Sequence, residues 1–196
     1  LIVIGLDLVF GRRSPIIGGL IGLAAVALVI AVVISAPNLG LTGTSELRTE
    51  RFTEPIGEAT LATVNLELSQ YPTTVEVLAG SDQLIDAELT FTGDIAFEAR
   101  GDREKVIDLR HVSRGFDFDW LNMLDESSAR WDIGLSPEIP LDVTIDVGSG
   151  SARLDLDGLQ LTALEIDGGS GSTELSVSAG KTAYPVDIRS GSGSFR

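Results

Sequence analysis

Two hydrophobic patterns divide the chain. Residues Ile16 to Ile34 are aliphatic or glycine throughout, and no charged residue stands between Ser14 and Ser45. These 19 residues would span roughly 28 Å as a helix, close to the hydrocarbon thickness of a bilayer. A buried helix of a soluble domain would carry a polar stripe, and none is visible, so the pattern predicts a transmembrane helix. Leu1 to Phe10 reads as the end of an earlier span, broken only by Asp7. The short loop Gly11-Arg12-Arg13-Ser14 would join the two as a helical hairpin over residues 1–36. Its two arginines favour a cytoplasmic loop and hence an external position for the chain beyond Ile34, although Arg48 and Arg51 flank the other side.

After a turn-rich linker at 37–45 the pattern changes to strict alternation. Thr63 to Leu68, Thr74 to Leu78, Leu84 to Phe91, Ile95 to Ala99, Val106 to Leu109 and Trp131 to Leu135 read as half-buried strands. Phe116 to Asp125 fits an irregular loop or a short helical turn. The expectation for residues 46–140 is therefore an N-terminal β region.

From Leu141 onward the chain repeats. Gly-Ser-Gly-Ser occurs at 148–151, 169–172 and 191–194, spacings of 21 and 22 residues, as in a solenoid with one rung per repeat. Alignment on the first glycine stacks Ile145, Ile166 and Ile188, and separately Val143, Leu164 and Val186. Leu154 meets Leu175, and Leu156 meets Val177. The intervening columns are polar: Thr144, Glu165 and Asp187; Asp146, Asp167 and Arg189; and Arg153, Glu174 and Arg196 with alternating sign. The glycines Gly148, Gly150, Gly169, Gly171, Gly191 and Gly193 become rung corners, where positive φ is available and serine can bond the turning backbone. The predicted fold is all-β, a parallel β-solenoid of about 21–22 residues per rung over 141–196, preceded by the transmembrane hairpin. An uncapped last rung would expose a pairing edge. Because the chain starts inside an apolar run and stops after a third motif copy, both ends read as cuts in a longer product.

Composition narrows the chemistry. The 196 residues include 14 Lys and Arg against 29 Asp and Glu, one His and no Cys. Beyond residue 40, after subtracting Arg12, Arg13 and Asp7, there are 12 basic and 28 acidic side chains, a net charge of −16. That surface repels nucleic-acid phosphates and anionic headgroups. Disulfides and cysteine-based metal or nucleophile chemistry are excluded. His111 would have to serve any catalytic triad, yet no Gly-x-Ser-x-Gly elbow accompanies it. Asp142, Asp146, Asp155, Asp157 and Asp167 alternate with apolar residues as an outer face would. They lack the Gly-Gly-x-Gly-x-Asp turn of calcium-binding solenoids. A carbohydrate-cleaving solenoid would pair two carboxylates in a groove and add aromatic platforms, but aromatics make up only 6% of the chain. No Lys follows Gly-Ser-Gly-Ser as it would in a phosphate loop. The expectation is a protein without catalytic, cofactor-binding or metal-binding residues.

Two resemblances join this reading. Ile4-Gly5-Leu6-Asp7-Leu8 with Gly11-Arg12-Arg13-Ser14, within Leu1 to Ile34, resembles the LiaI/LiaF-like transmembrane region of bacterial envelope proteins. Trp131-Asp132-Ile133-Gly134-Leu135, Ile139-Pro140-Leu141-Asp142-Val143, Gly148-Ser149-Gly150 and Leu154-Asp155-Leu156-Asp157-Gly158-Leu159 resemble the toast-rack family and related putative-adhesin β-solenoids. Glu46 to Asp108 resembles that family's N-terminal part. The apolar runs of residues 1–36 predict the bilayer anchor and the loop arginines favour a β-domain outside; to this the resemblance adds a place in the bacterial cell envelope. It implies an envelope-stress regulator or scaffold acting on a protein partner such as a membrane histidine kinase, with a cell-surface adhesin as the alternative. It carries no catalytic residues.

Overall fold

The alternation after residue 45 folds into two facing sheets. The computed structural model describes residues 47–68, 70–112, 128–178 and 183–196, and among these the regular elements are thirteen β-strands. The expected hairpin over 1–36, the linker at 37–45 and the segment Phe116 to Asp125 lie outside the described residues. Among the described residues no helix is long and apolar enough to cross a membrane.

Each rung contributes one strand to each sheet. β2 (Leu61–Glu67) and β3 (Thr73–Val77) form one rung, and β8 (Pro140–Asp146) with β9 (Ala152–Asp155) the next. β10 (Gln160–Asp167) with β11 (Ser172–Ser176) follows, then β12 (Val186–Arg189) with β13 (Ser194–Phe195). On the other side of β2 and β3 lie β6 (Glu104–Val112) and β7 (Arg130–Leu135), also parallel. The rungs expected within 141–196 are thus β8 to β13, and the same stack continues through 61–77 and 104–135. The chain makes its second rung first. β2 and β3 precede β6 and β7 in sequence but lie between them and β8 and β9.

Three antiparallel strands complete the seven- and six-stranded sheets. β4 (Gln83–Phe91) pairs with β7, β1 (Arg48–Pro55) with β4, and β5 (Asp94–Arg100) with β6.

Inward parity builds the core. Leu109, Leu66, Ile145, Ile166 and Ile188 stand in one register column, and Ile107, Val64, Val143, Leu164 and Val186 in the next. The facing sheet supplies Ile133, Val75, Leu154 and Leu175. Complete burial of one such side chain contributes about 1.5–3 kcal/mol, so these columns are the main cohesive force between rungs. In the first of these columns burial is near total from Leu109 to Ile166; it weakens on the facing sheet at Leu175 and Val177, the latter 36% exposed, and fails at the last rung, where Ile188 is 41% and Val186 49% exposed.

The opposite end is closed. Phe52 of β1 and Phe97 of β5 meet across the two sheets with ring centroids 5.5 Å apart. Lys105, facing inward from β6, reaches Glu54 of β1 and donates to the Pro55 carbonyl at 2.7 Å. The outermost strand on that side, β1, carries Arg48, Glu50 and Arg51 and ends at Pro55, features that discourage pairing with a further strand.

On the outer side of β1, Arg51 donates from Nε and Nη2 to the two Asp86 oxygens of β4 at 2.7 and 2.5 Å. That fork holds the Asp86 carboxyl below its ordinary value, chiefly through the hydrogen bond, against a smaller opposing effect of burial. A carboxyl lowered in the folded state contributes stability above its unfolded pKa of about 3.9 and loses it as pH falls through the folded value. Arg51→Gln should therefore lower the urea midpoint near neutral pH and converge on the wild type in acid. A pH series from about 6 to about 2 checks this; parallel curves would show that the pair is not linked to folding.

Candidate interaction surface

The rung corners are built by contact between backbones. A Cβ placed at Gly169 would lie 1.8 Å from the Gly148 carbonyl oxygen, and at Gly171 1.6 Å from that of Gly150. Gly191 and Gly193 repeat this against Gly169 and Gly171, at 1.9 and 1.7 Å. Gly150 packs in turn on the backbone of Gln70 and Tyr71. Of the six corner glycines, only Gly148 and Gly169 have positive φ. The expectation that positive φ is the reason for all six holds for these two, of which Gly169 is also tightly packed; close approach is the reason for the other four. The side chains that bond the turning backbone also differ from expectation. Asp146 and Asp167 accept from the amides of Gly148 and Gly169 at 3.0 and 3.2 Å, so aspartate takes the role expected of serine.

The outer face of the six-stranded sheet is acidic. Glu67, Asp146 and Asp167 stand side by side in register, between Arg110 and Arg189. Arg189 pairs with Glu165 at 2.8 Å and with Asp187 at 2.7 Å. Its guanidinium is thereby held above its usual pKa, mainly by the hydrogen bond to Asp187. A hollow of about 440 Å³ on this face is lined by Arg100, Asp108, Asn65 and Glu67 among others, with Arg100 and Asn65 both donating to Asp108.

The outer face of the seven-stranded sheet holds a larger groove, of about 700 Å³, beside the corners. It crosses β7, β3, β9, β11 and β13 and is lined by Arg130, Thr74, Arg153, Glu174 and Arg196, with the corner serines. Arg130 pairs with Asp132 at 2.9 Å and Arg153 with Glu174 at 3.0 Å. The Arg153–Glu174 contact is the rung-to-rung charge alternation expected from sequence. The stack adds Arg130 and Thr74, which the repeat did not identify. The signal for them was parity: Trp131-x-Ile133 matches Ala152-x-Leu154, which places Arg130 beside the corner serines.

His111, near the end of β6, packs against the β4–β5 turn. Its Nε2–H donates to the Thr92 carbonyl at 2.7 Å, and its ring meets Tyr71 edge-on at 5.7 Å. The Tyr71 hydroxyl pairs with Thr92 Oγ1 at 2.8 Å. The aspartates considered for calcium lie along outer columns, and among the described residues no group of three or more His, Cys, Asp or Glu gathers as a metal site.

The model of the family described as the N-terminal domain of toast_rack, DUF2154, matches residues 43–196. The chain belongs to this family. The toast-rack match covers the two-sheet stack and does not reach residues 1–36, where the LiaI/LiaF-like resemblance lies. Among solved structures, a crystal structure of a putative cell adhesion protein from Clostridium sporogenes superposes with a TM-score of 0.57 at 16% identity, over 74% of this chain and 68% of that one. At that identity the toast-rack chain shares a fold with it. No curated protein matches the chain.

Proposed function

We propose that this toast-rack protein is a non-enzymatic binding module of the bacterial cell envelope, anchored in the cytoplasmic membrane by residues 1–36 with its β-stack outside. The observation that carries this reading is the stack itself. Five rungs in register turn alternating sequence into continuous columns of polar side chains on two outer faces, over a core that is buried through its first three rungs. Such a surface suits contact with an extended partner. The LiaI/LiaF-like resemblance of the first 36 residues favours a regulatory or scaffold role toward a membrane histidine kinase. The shared fold with a putative cell adhesion protein favours an adhesin-like role as the second reading.

The absence of cysteine permits a direct test. Ser149 is exposed at a corner, outside the large groove. With Ser149→Cys in intact cells, a membrane-impermeant maleimide should label the protein without permeabilisation. Labelling only after permeabilisation would overturn the external placement and with it the adhesin reading. With the placement established, deletion that alters envelope-stress output and leaves adhesion unchanged would select the regulator.

A further inference from the structure

Charge is locally uneven on the seven-stranded sheet. The region beyond residue 40 has a net charge of −16, yet the corner groove carries Arg130, Arg153 and Arg196 against Asp132 and Glu174. Its five strands at about 4.8 Å spacing give a track roughly 19 Å long across the strands. Two rows line it. One is hydroxylic: Ser151, Ser172 and Ser194, in successive rungs. The other contains Asp132, Thr74, Arg153 and Glu174 in register, with Arg196 beyond them.

The arginines remain available to a ligand. Both ion pairs in the groove are exposed, with Arg153 at 68% and Glu174 at 60%, so each is worth no more than about 1 kcal/mol. A guanidinium has five N–H donors and can keep its protein carboxylate while forking to a second one. Serine and threonine hydroxyls donate to and accept from sugar hydroxyls. The lining includes no aromatic side chain on which a nucleic-acid base could stack.

We infer that this groove docks an acidic polysaccharide, a chain of hydroxyl-bearing sugars with carboxylates, lying along the stack and crossing its strands. The hydroxyl row meets sugar hydroxyls, and Arg130 and Arg153 meet successive carboxylates. Recognition is ionic rather than by ring stacking, so it weakens as salt screens the contacts. The inference rests on the binding-module reading and deepens it by giving the ligand class.

Calorimetry on the full 196-residue chain in neutral detergent tests it, with polygalacturonate as the probe. Binding that weakens with added salt is expected. In Arg130→Gln/Arg153→Gln it should fall about tenfold or more, with thermal unfolding unchanged. Arg100→Gln, on the opposite face, should bind as the wild type does. Poly-L-glutamate, anionic without sugar hydroxyls, and fully methyl-esterified polygalacturonate, without charge, should each bind at least about tenfold more weakly than polygalacturonate. No binding of polygalacturonate by the wild type would overturn the inference. So would equal binding by the double variant, an equal loss in Arg100→Gln, or equal binding of poly-L-glutamate or of the ester. Any of these would leave the binding-module reading intact, because that reading stands or falls on the labelling and deletion experiments.

Discussion

Gly171→Ala should abolish cooperative folding of the C-terminal rungs. Its Cβ would lie 1.6 Å from the Gly150 carbonyl oxygen and 2.7 Å from the carbonyl carbon. Both atoms are backbone, so no rotamer change relieves the overlap. Moving the rung away would stretch the Ser170 amide bond to the Gly148 carbonyl, now 2.9 Å, and separate Leu175 from Leu154. The cost exceeds about 4 kcal/mol, in the range reserved for disruptions of a packed interior. Gly158→Ala is the matched control. Gly158 has a φ of +97° in the turn between β9 and β10, but nothing lies within 4 Å of its Cβ position. Alanine there meets only backbone strain of about 1–3 kcal/mol. Urea unfolding of the two variants separates contact from conformation. Equal midpoints would show that the corners are not held by backbone contact.

The same corners show how far this fold is legible from sequence. A 21–22-residue period with parity kept across three copies is enough to align Ile145, Ile166 and Ile188, and the structure places these residues in one column. That column also runs through Leu66 and Leu109, which no period reveals. Alternation specifies which face of a strand is buried and says nothing of which strand lies beside it. Here β4 and β5 intervene between the first two rungs, and the rung made second in the chain sits at the end of the stack. The spacing therefore differs at each step before residue 141. The groove was hidden for the same reason: Arg130 and Thr74 join Arg153 and Glu174 only through stacking. Likewise, five of the six corner glycines press on the backbone of a neighbouring rung, whereas positive φ at Gly148 and Gly169 is a local property.

Lys105 is a further residue whose role depends on packing across strands. Its side chain is 9% exposed, within a region of alternating apolar positions where a leucine would be expected. It faces Glu54 and the Pro55 carbonyl, both on β1, which binds the stack otherwise through β4, the Arg48–Asp94 pair and the Phe52–Phe97 contact. Lys105→Met removes the ammonium and leaves a part-buried carboxylate and a carbonyl without that donor. Removing one member of such a pair costs about 3–5 kcal/mol, whereas replacing both by apolar groups is often nearly neutral. The single variant should therefore unfold at markedly lower urea, with amide exchange accelerated first along β1. Lys105→Met/Glu54→Leu should recover most of the loss. If the double variant is as unstable as the single one, the lysine acts by packing its methylene stem and not by pairing. If the single variant is as stable as the wild type, the lysine adds nothing to closure, and β1 is held by its ladder with β4, the Arg48–Asp94 pair and the Phe52–Phe97 contact.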